Sequence, residues 1–102
     1  MIILDVPDLY HDAVCWFAKE YLEGHSITIR LEEKDLDVYG YCNHLEEEFF
    51  IEINSSLDLK EKLTTLFHEL YHVVQHINNL PRDEDECDSL QTVLLDNYLK
   101  TH

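Results

Sequence analysis

The amino-acid sequence predicts an α+β fold with an N-terminal helix, a small, mostly antiparallel three-stranded sheet and two C-terminal helices. Three observations carry that expectation. Apolar residues recur at helical spacing over residues 8–22 and again over 58–79. Between them, three stretches alternate apolar and polar side chains with the period of two that suits a half-buried strand. After Pro81 a run of acids leads into a further helical stripe.

Residues 1–6 read as a short strand. Pro7 and Asp8 then mark a helix start, with Asp8 as the cap, and the helix runs to about Leu22 before Gly24 stops it. Leu9, Ala13, Trp16, Phe17 and Tyr21 form its core stripe. The strands are His25–Leu31, Leu36–Cys42 and Glu48–Asn54, joined by the polar links Glu32–Asp35 and Asn43–Glu47. Links this short favour an antiparallel meander. Ser55, Ser56 and Asp58 offer caps for a helix from about Asp58 to Asn79, which Leu80-Pro81 ends. Asp83–Glu86 forms the acidic first turn of the last helix, where negative charge suits the macrodipole. Cys87, Leu90, Leu94 and Tyr98 give that helix its inner stripe. A chain of 102 residues has room for one core, so residues 1–102 are expected to form a single domain.

The formal net charge is −15. Phosphate backbones are bound through Lys and Arg, so non-specific nucleic-acid binding is not expected. The same charge favours a peptide or protein partner with a basic surface. No apolar run is long enough to span a membrane, and the N-terminal MIILDVPDLY carries two acids where a secretory signal needs an apolar core. Three cysteines at irregular spacing, Cys15, Cys42 and Cys87, suit free thiols and a cytoplasmic location.

His68-Glu69-Leu70-Tyr71-His72 is an HExxH sequence. Residues i and i+4 share one helix face, so two imidazoles can converge on one ion. The Glu between them is placed to take a proton from water at that ion. Leu63, Leu66, Phe67, Leu70, Val73, Val74 and Ile77 make a continuous apolar face, and both histidines lie nearly opposite its centre. A peptidase zinc needs a third protein ligand. His76 lies about 12 Å along the helix from His68 at 1.5 Å per residue, too far to share the ion, and reads as a solvated residue or one that supports a ligand from behind. The acidic turn after Pro81 is the better source, through Glu84 or its neighbours.

The stretch Leu63–Gln75, with HExxH at its centre, resembles the active-site helix of small gluzincin metallopeptidases. These include the minigluzincins and phage-type peptidases of the ImmA/IrrE kind. Their second motif, Glu-x-x-Ala followed by Asp or Asn, is matched by Glu84-Asp85-Glu86-Cys87-Asp88, with Cys87 in the place of Ala. The resemblance covers about residues 48–90. It implies a minimal zincin-like fold, zinc held by His68, His72 and Glu84, and Glu69 as general base in peptide-bond hydrolysis. It also implies that Asp88 orients a ligand histidine, and that Glu48–Asn54 is an edge strand along which an extended peptide pairs. Tyr71, Tyr98 and His44 are the candidates for stabilising the oxyanion.

Other features read as ordinary structure. Cys42-x-His44 lacks a second metal-binding pair, Glu46–Glu48 is a solvated charge run, and Trp16 and Phe17 belong to the core. The rival to a peptidase is a non-catalytic acidic binding protein, either a peptidase-like interaction module or a DNA mimic. Zinc content separates the two, because a mimic needs no metal.

Overall fold

The computed structural model describes residues 1–101. Its elements are β1 (Ile2–Asp5), α1 (Asp8–Tyr21), β2 (Ile27–Lys34), β3 (Gly40–Leu45), β4 (Glu48–Asn54), α2 (Leu59–Ile77) and α3 (Glu84–Thr101). The class is α+β, as the sequence predicts, but the sheet differs. It has four strands in the order β1-β2-β4-β3, and it is mixed rather than mostly antiparallel. β1 pairs with β2 in parallel, β2 with β4 in parallel, and only β3 with β4 runs antiparallel.

Two physical features explain the difference. Parallel neighbours need a crossover, and α1 supplies it between β1 and β2. β4 then inserts between β2 and β3, because its burial is the deepest of the four. Phe49, Ile51 and Ile53 are each 1% exposed or less, and an outer position would uncover them.

β3 starts later than the alternation of Leu36 and Val38 suggests. The Asn54 side chain donates to the carbonyls of both Leu36 and Val38 at 3.0 Å, so these residues are held as a loop. The strand continues instead through Asn43–Leu45, which the sequence reading assigned to a link. A tight turn at Glu46–Glu47 follows, with Glu46 at φ 55. That turn lacks the Gly or Asn that usually announces a hairpin, which is why it reads as a charge run.

One face of the sheet carries the core. Ile27, Ile29 and Leu31 of β2 and the alternate residues of β4 pack against α1 and α2. The other face bears Arg30, Glu48, Phe50 and Glu52. Its ion pairs, such as Arg30–Asp5 at 2.8 Å and Lys34–Glu52 at 3.0 Å, lie against solvent, where screening leaves them little weight in stability.

α1 is capped by Pro7 without a side-chain bond, so Asp8 is its first residue and not its cap. Its buried stripe is Tyr10, Ala13, Val14, Phe17 and Ala18, turned from the expected one; Leu9 and Tyr21 are exposed. Tyr10 can be fully buried because its hydroxyl donates to Glu33 Oε2 at 2.8 Å. Among the described residues, no helix is long and apolar enough to cross a membrane.

Candidate metal centre

α2 presents the HExxH residues, and both of its ends are well determined. Asp58 Oδ1 accepts from the Glu61 amide at 2.8 Å and Glu61 Oε1 from the Asp58 amide at 3.4 Å, a reciprocal capping box. At the other end Asn79 adopts φ 57, and the Leu80 amide reaches the Gln75 carbonyl at 2.8 Å. The chain then turns through Pro81 and returns as α3, which packs along α2. The polar face of α2 is therefore flanked by β3 and by α3, which bury much of it. Glu69 and His72 are each 4% exposed and Gln75 is 1% exposed.

Burying β3 this close to α2 depends on Gly40. A Cβ there would lie 2.7 Å from Thr65 Cγ2, 2.8 Å from the Glu52 carbonyl oxygen and 3.4 Å from Glu69 Oε2. The first two distances are too short for any side chain, so glycine is what lets the strand backbone lie this close to α2.

His68 Nε2 and His72 Nε2 converge on a single oxygen, Glu84 Oε1, at 2.8 and 3.1 Å. The other ring nitrogens face amide oxygens. His72 Nδ1 is 2.9 Å from Gln75 Oε1, and His68 Nδ1 is 2.9 Å from Gln91 Oε1 and 3.2 Å from Asp88 Oδ1. Each Nδ1 must therefore donate, which leaves each neutral ring with a lone pair on Nε2. Two such lone pairs aimed at a carboxylate oxygen repel, so the contact needs a positive charge there: a metal ion, or a proton on Nε2 in its absence. The donor set, two imidazoles and one carboxylate, is the one catalytic zinc takes.

A second observation agrees. Glu69 Oε1 is buried and meets no hydrogen-bond donor among the described residues. Such an atom is costly unless something polar occupies the space beside it, as the water of a metal site would. Burial pushes the Glu69 carboxyl up to about 7; Glu84 adds to the rise, while His68 and Arg82 oppose it. Glu84 behaves in the opposite way. Burial works against its charge, but His68, His72 and Arg82 outweigh that and hold the carboxyl at about 2.

Cys87 also reaches the pair. His68, His72 and Cys87 form a group able to hold a metal ion. The Cys87 Sγ, however, is 3.4 Å from His72 Nδ1, the nitrogen turned towards Gln75 and away from Glu84. Its thiol is fully buried and pushed up to about 12 by that burial, then by the carboxylates of Glu84, Glu69 and Glu86, so it stays neutral. Glu84 is the better placed third donor.

A cavity of about 360 Å³ opens beside these residues, lined by His68, Glu69, Glu84 and Asp88 together with Tyr39, Gly40 and Arg82. None of the three oxyanion candidates borders it. Tyr71 packs on the core, Tyr98 packs against Trp16 and Phe67, and His44 stacks on His76 at 3.8 Å between ring centroids, beside a smaller hollow. His76 stands outside the convergence, exposed, as expected.

The expected edge strand is corrected as well. β4 is internal and both its sides are paired, so the free edge nearest the cavity belongs to β3. The Tyr39 carbonyl bonds the Asn54 amide, whereas the Cys42 carbonyl turns outward and accepts from Arg82 Nη1 at 2.9 Å. By the alternation of an antiparallel pair, Gly40 and His44 turn the same way as Cys42. No motif in the sequence points to Gln75, Gln91, Arg82 or Gly40. A Gln at i+3 from His72, on the helix face that also bears the motif, was the one available signal.

The family model for the IrrE N-terminal-like domain, Peptidase_M78, matches residues 20–97 of the chain. No curated protein and no solved structure matches it.

Proposed function

The chain belongs to the IrrE N-terminal-like peptidase family, and on that premise we propose that it is a zinc-dependent metallopeptidase with Glu69 as its general base. His68, His72 and Glu84 hold the ion. When bound, zinc supplies a Lewis acid that polarises the peptide carbonyl and acidifies water. The observation that carries this reading is the convergence of both Nε2 atoms on Glu84 Oε1 beside the unpartnered buried oxygen of Glu69.

The residues of the chain divide the work. Glu69, buried beside the two histidines, accepts the proton of the attacking water and returns it to the departing amine. Gln75 fixes the His72 tautomer, and Gln91 with Asp88 fixes that of His68. The outward backbone groups of β3 bind the substrate as an extended strand. A net charge of −15 favours a peptide or protein substrate that carries Lys or Arg.

The test is digestion of a pool of Lys- and Arg-bearing peptides by zinc-loaded protein, followed by mass spectrometry. Wild type should cut within chains, and Glu69→Gln should retain zinc and lose cleavage. Equal cleavage by both proteins would remove Glu69 from the mechanism.

A further inference from the structure

We propose that Arg82 is a catalytic residue whose guanidinium stabilises the negative charge developing on the scissile carbonyl oxygen. The proposal rests on the peptidase reading above. In the step concerned, the water oxygen bonds to the carbonyl carbon, its proton passes to Glu69, and the π pair of the C=O bond moves onto oxygen. Collapse of that adduct breaks the C–N bond, and the proton leaves Glu69 for the amine. The charge on oxygen needs a donor that is already in place.

Arg82 meets that need by position. It lies in the turn between α2 and α3 and borders the same cavity as His68, Glu69 and Glu84, where it is the one permanently charged cation among the described lining residues. Two bonds hold its guanidinium across the site. Nη1 donates to the Cys42 carbonyl on the free edge of β3 at 2.9 Å, and Nε donates to Glu84 Oε2 at 3.3 Å. Nη2 has no partner among the described residues. A peptide lying along β3 towards Glu69 runs beside the Cys42 carbonyl to which Arg82 is anchored, within the cavity that Arg82 borders. A guanidinium restrained at two points loses little freedom when it binds and stays charged at every working pH. The tyrosines and histidine suggested by sequence lie elsewhere; Tyr39 and Tyr41 also border the cavity, but neither carries a positive charge to set against the developing oxyanion.

The competing explanation is a strap that only pins Glu84 and the start of α3 to β3. Two probes on zinc-loaded protein separate the roles. Acetohydroxamate ligates the metal, whereas an N-phosphoryl dipeptide also places a charged tetrahedral oxygen where the carbonyl oxygen would be. Arg82→Met should weaken the N-phosphoryl dipeptide about 100-fold and change acetohydroxamate affinity and zinc stoichiometry far less, all measured well below the variant's own thermal midpoint. If that variant does not fold, Arg82→Gln, which keeps a donor for Cys42 but loses the charge, should show the same selective loss. On any peptide that wild type cleaves, kcat should fall while KM holds.

Unchanged affinity for the phosphoryl probe overturns the proposal. So does joint loss of both probes and zinc, the signature of a strap. A KM rise confined to peptides with a free C-terminal carboxylate would make Arg82 a terminal anchor and also overturns it. Zinc-loaded wild type that binds neither probe would overturn the peptidase reading itself, a result distinct from any change between variants.

Discussion

Gln75 Oε1 lies 2.9 Å from His72 Nδ1, while the nitrogen of the same amide donates to the Asp83 carbonyl at 3.0 Å and to Glu86 Oε1 at 2.9 Å. Both of those partners only accept, and the Asp83 amide donates to Gln75 Oε1 at 3.3 Å. The amide therefore has one possible orientation, and the His72 proton must sit on Nδ1. The loop that carries Asp83 thus sets the histidine tautomer, and with it the direction of the Nε2 lone pair.

Gln75→Leu should weaken zinc binding about 10–100-fold although all three proposed ligands remain. Gln91→Leu should cost less, because Asp88 Oδ1 still faces His68 Nδ1 at 3.2 Å. Competition against a chromogenic chelator measures both. Equal losses would show that the Gln75 network is not special.

Glu69 makes the site costly to fold without metal. Its carboxyl is raised by burial from an ordinary 4.5 to about 7. For an acid raised in the folded state, the associated stability is full below 4.5 and is lost as pH rises through about 7. Glu69→Gln should therefore stabilise the metal-free protein at pH 8 by on the order of 2 kcal/mol, and by almost nothing at pH 4. Denaturant titrations at the two pH values check this; an equal effect at both would contradict it.

Gly40→Ala should destabilise the protein by about 1–3 kcal/mol, because the added methyl meets Thr65 Cγ2 at 2.7 Å and the Glu52 carbonyl at 2.8 Å. Combining it with Thr65→Ser should recover only part of the loss, since the backbone oxygen stays. Full recovery in thermal melts would place the crowding on the side chain alone.

Glu33 joins β2 to two helices through Tyr10 at 2.8 Å and Lys62 at 3.0 Å. Burial pushes its carboxyl up, but the Tyr10 hydroxyl and the Lys62 ammonium outweigh that, and the net shift is downward. A lowered acid contributes stability above its ordinary value near 4.5, lost as pH falls through the folded value. Lys62→Met should cost about 1–3 kcal/mol at pH 7 and progressively less as the pH falls below 4. A pH-independent cost would mean that Lys62 acts through packing alone.

The three helices and the HExxH face are legible because their periods are local, although the cap and the buried stripe of α1 differ from those its sequence suggests. Asp58 with Glu61 and the acids of Asp83–Glu86 announce helix starts in the sequence itself. The strand order is not, because it is decided by burial across the sheet. Phe49, Ile51 and Ile53 alternate as well in an edge strand as in a central one, and only the packing puts β4 inside. The sites of Gln91 and Arg82 depend on how α3 returns over α2, which no short-range pattern records. Cys42 and Arg82 are brought together across 40 residues.

The most direct test of the metal centre is elemental mass spectrometry of purified wild type beside His72→Ala, Glu84→Ala and Glu69→Gln. One zinc per chain is expected in wild type and in Glu69→Gln, with clear loss in the other two. Protein that takes up no zinc when refolded in its presence, or zinc content unchanged by His72→Ala, would contradict the site.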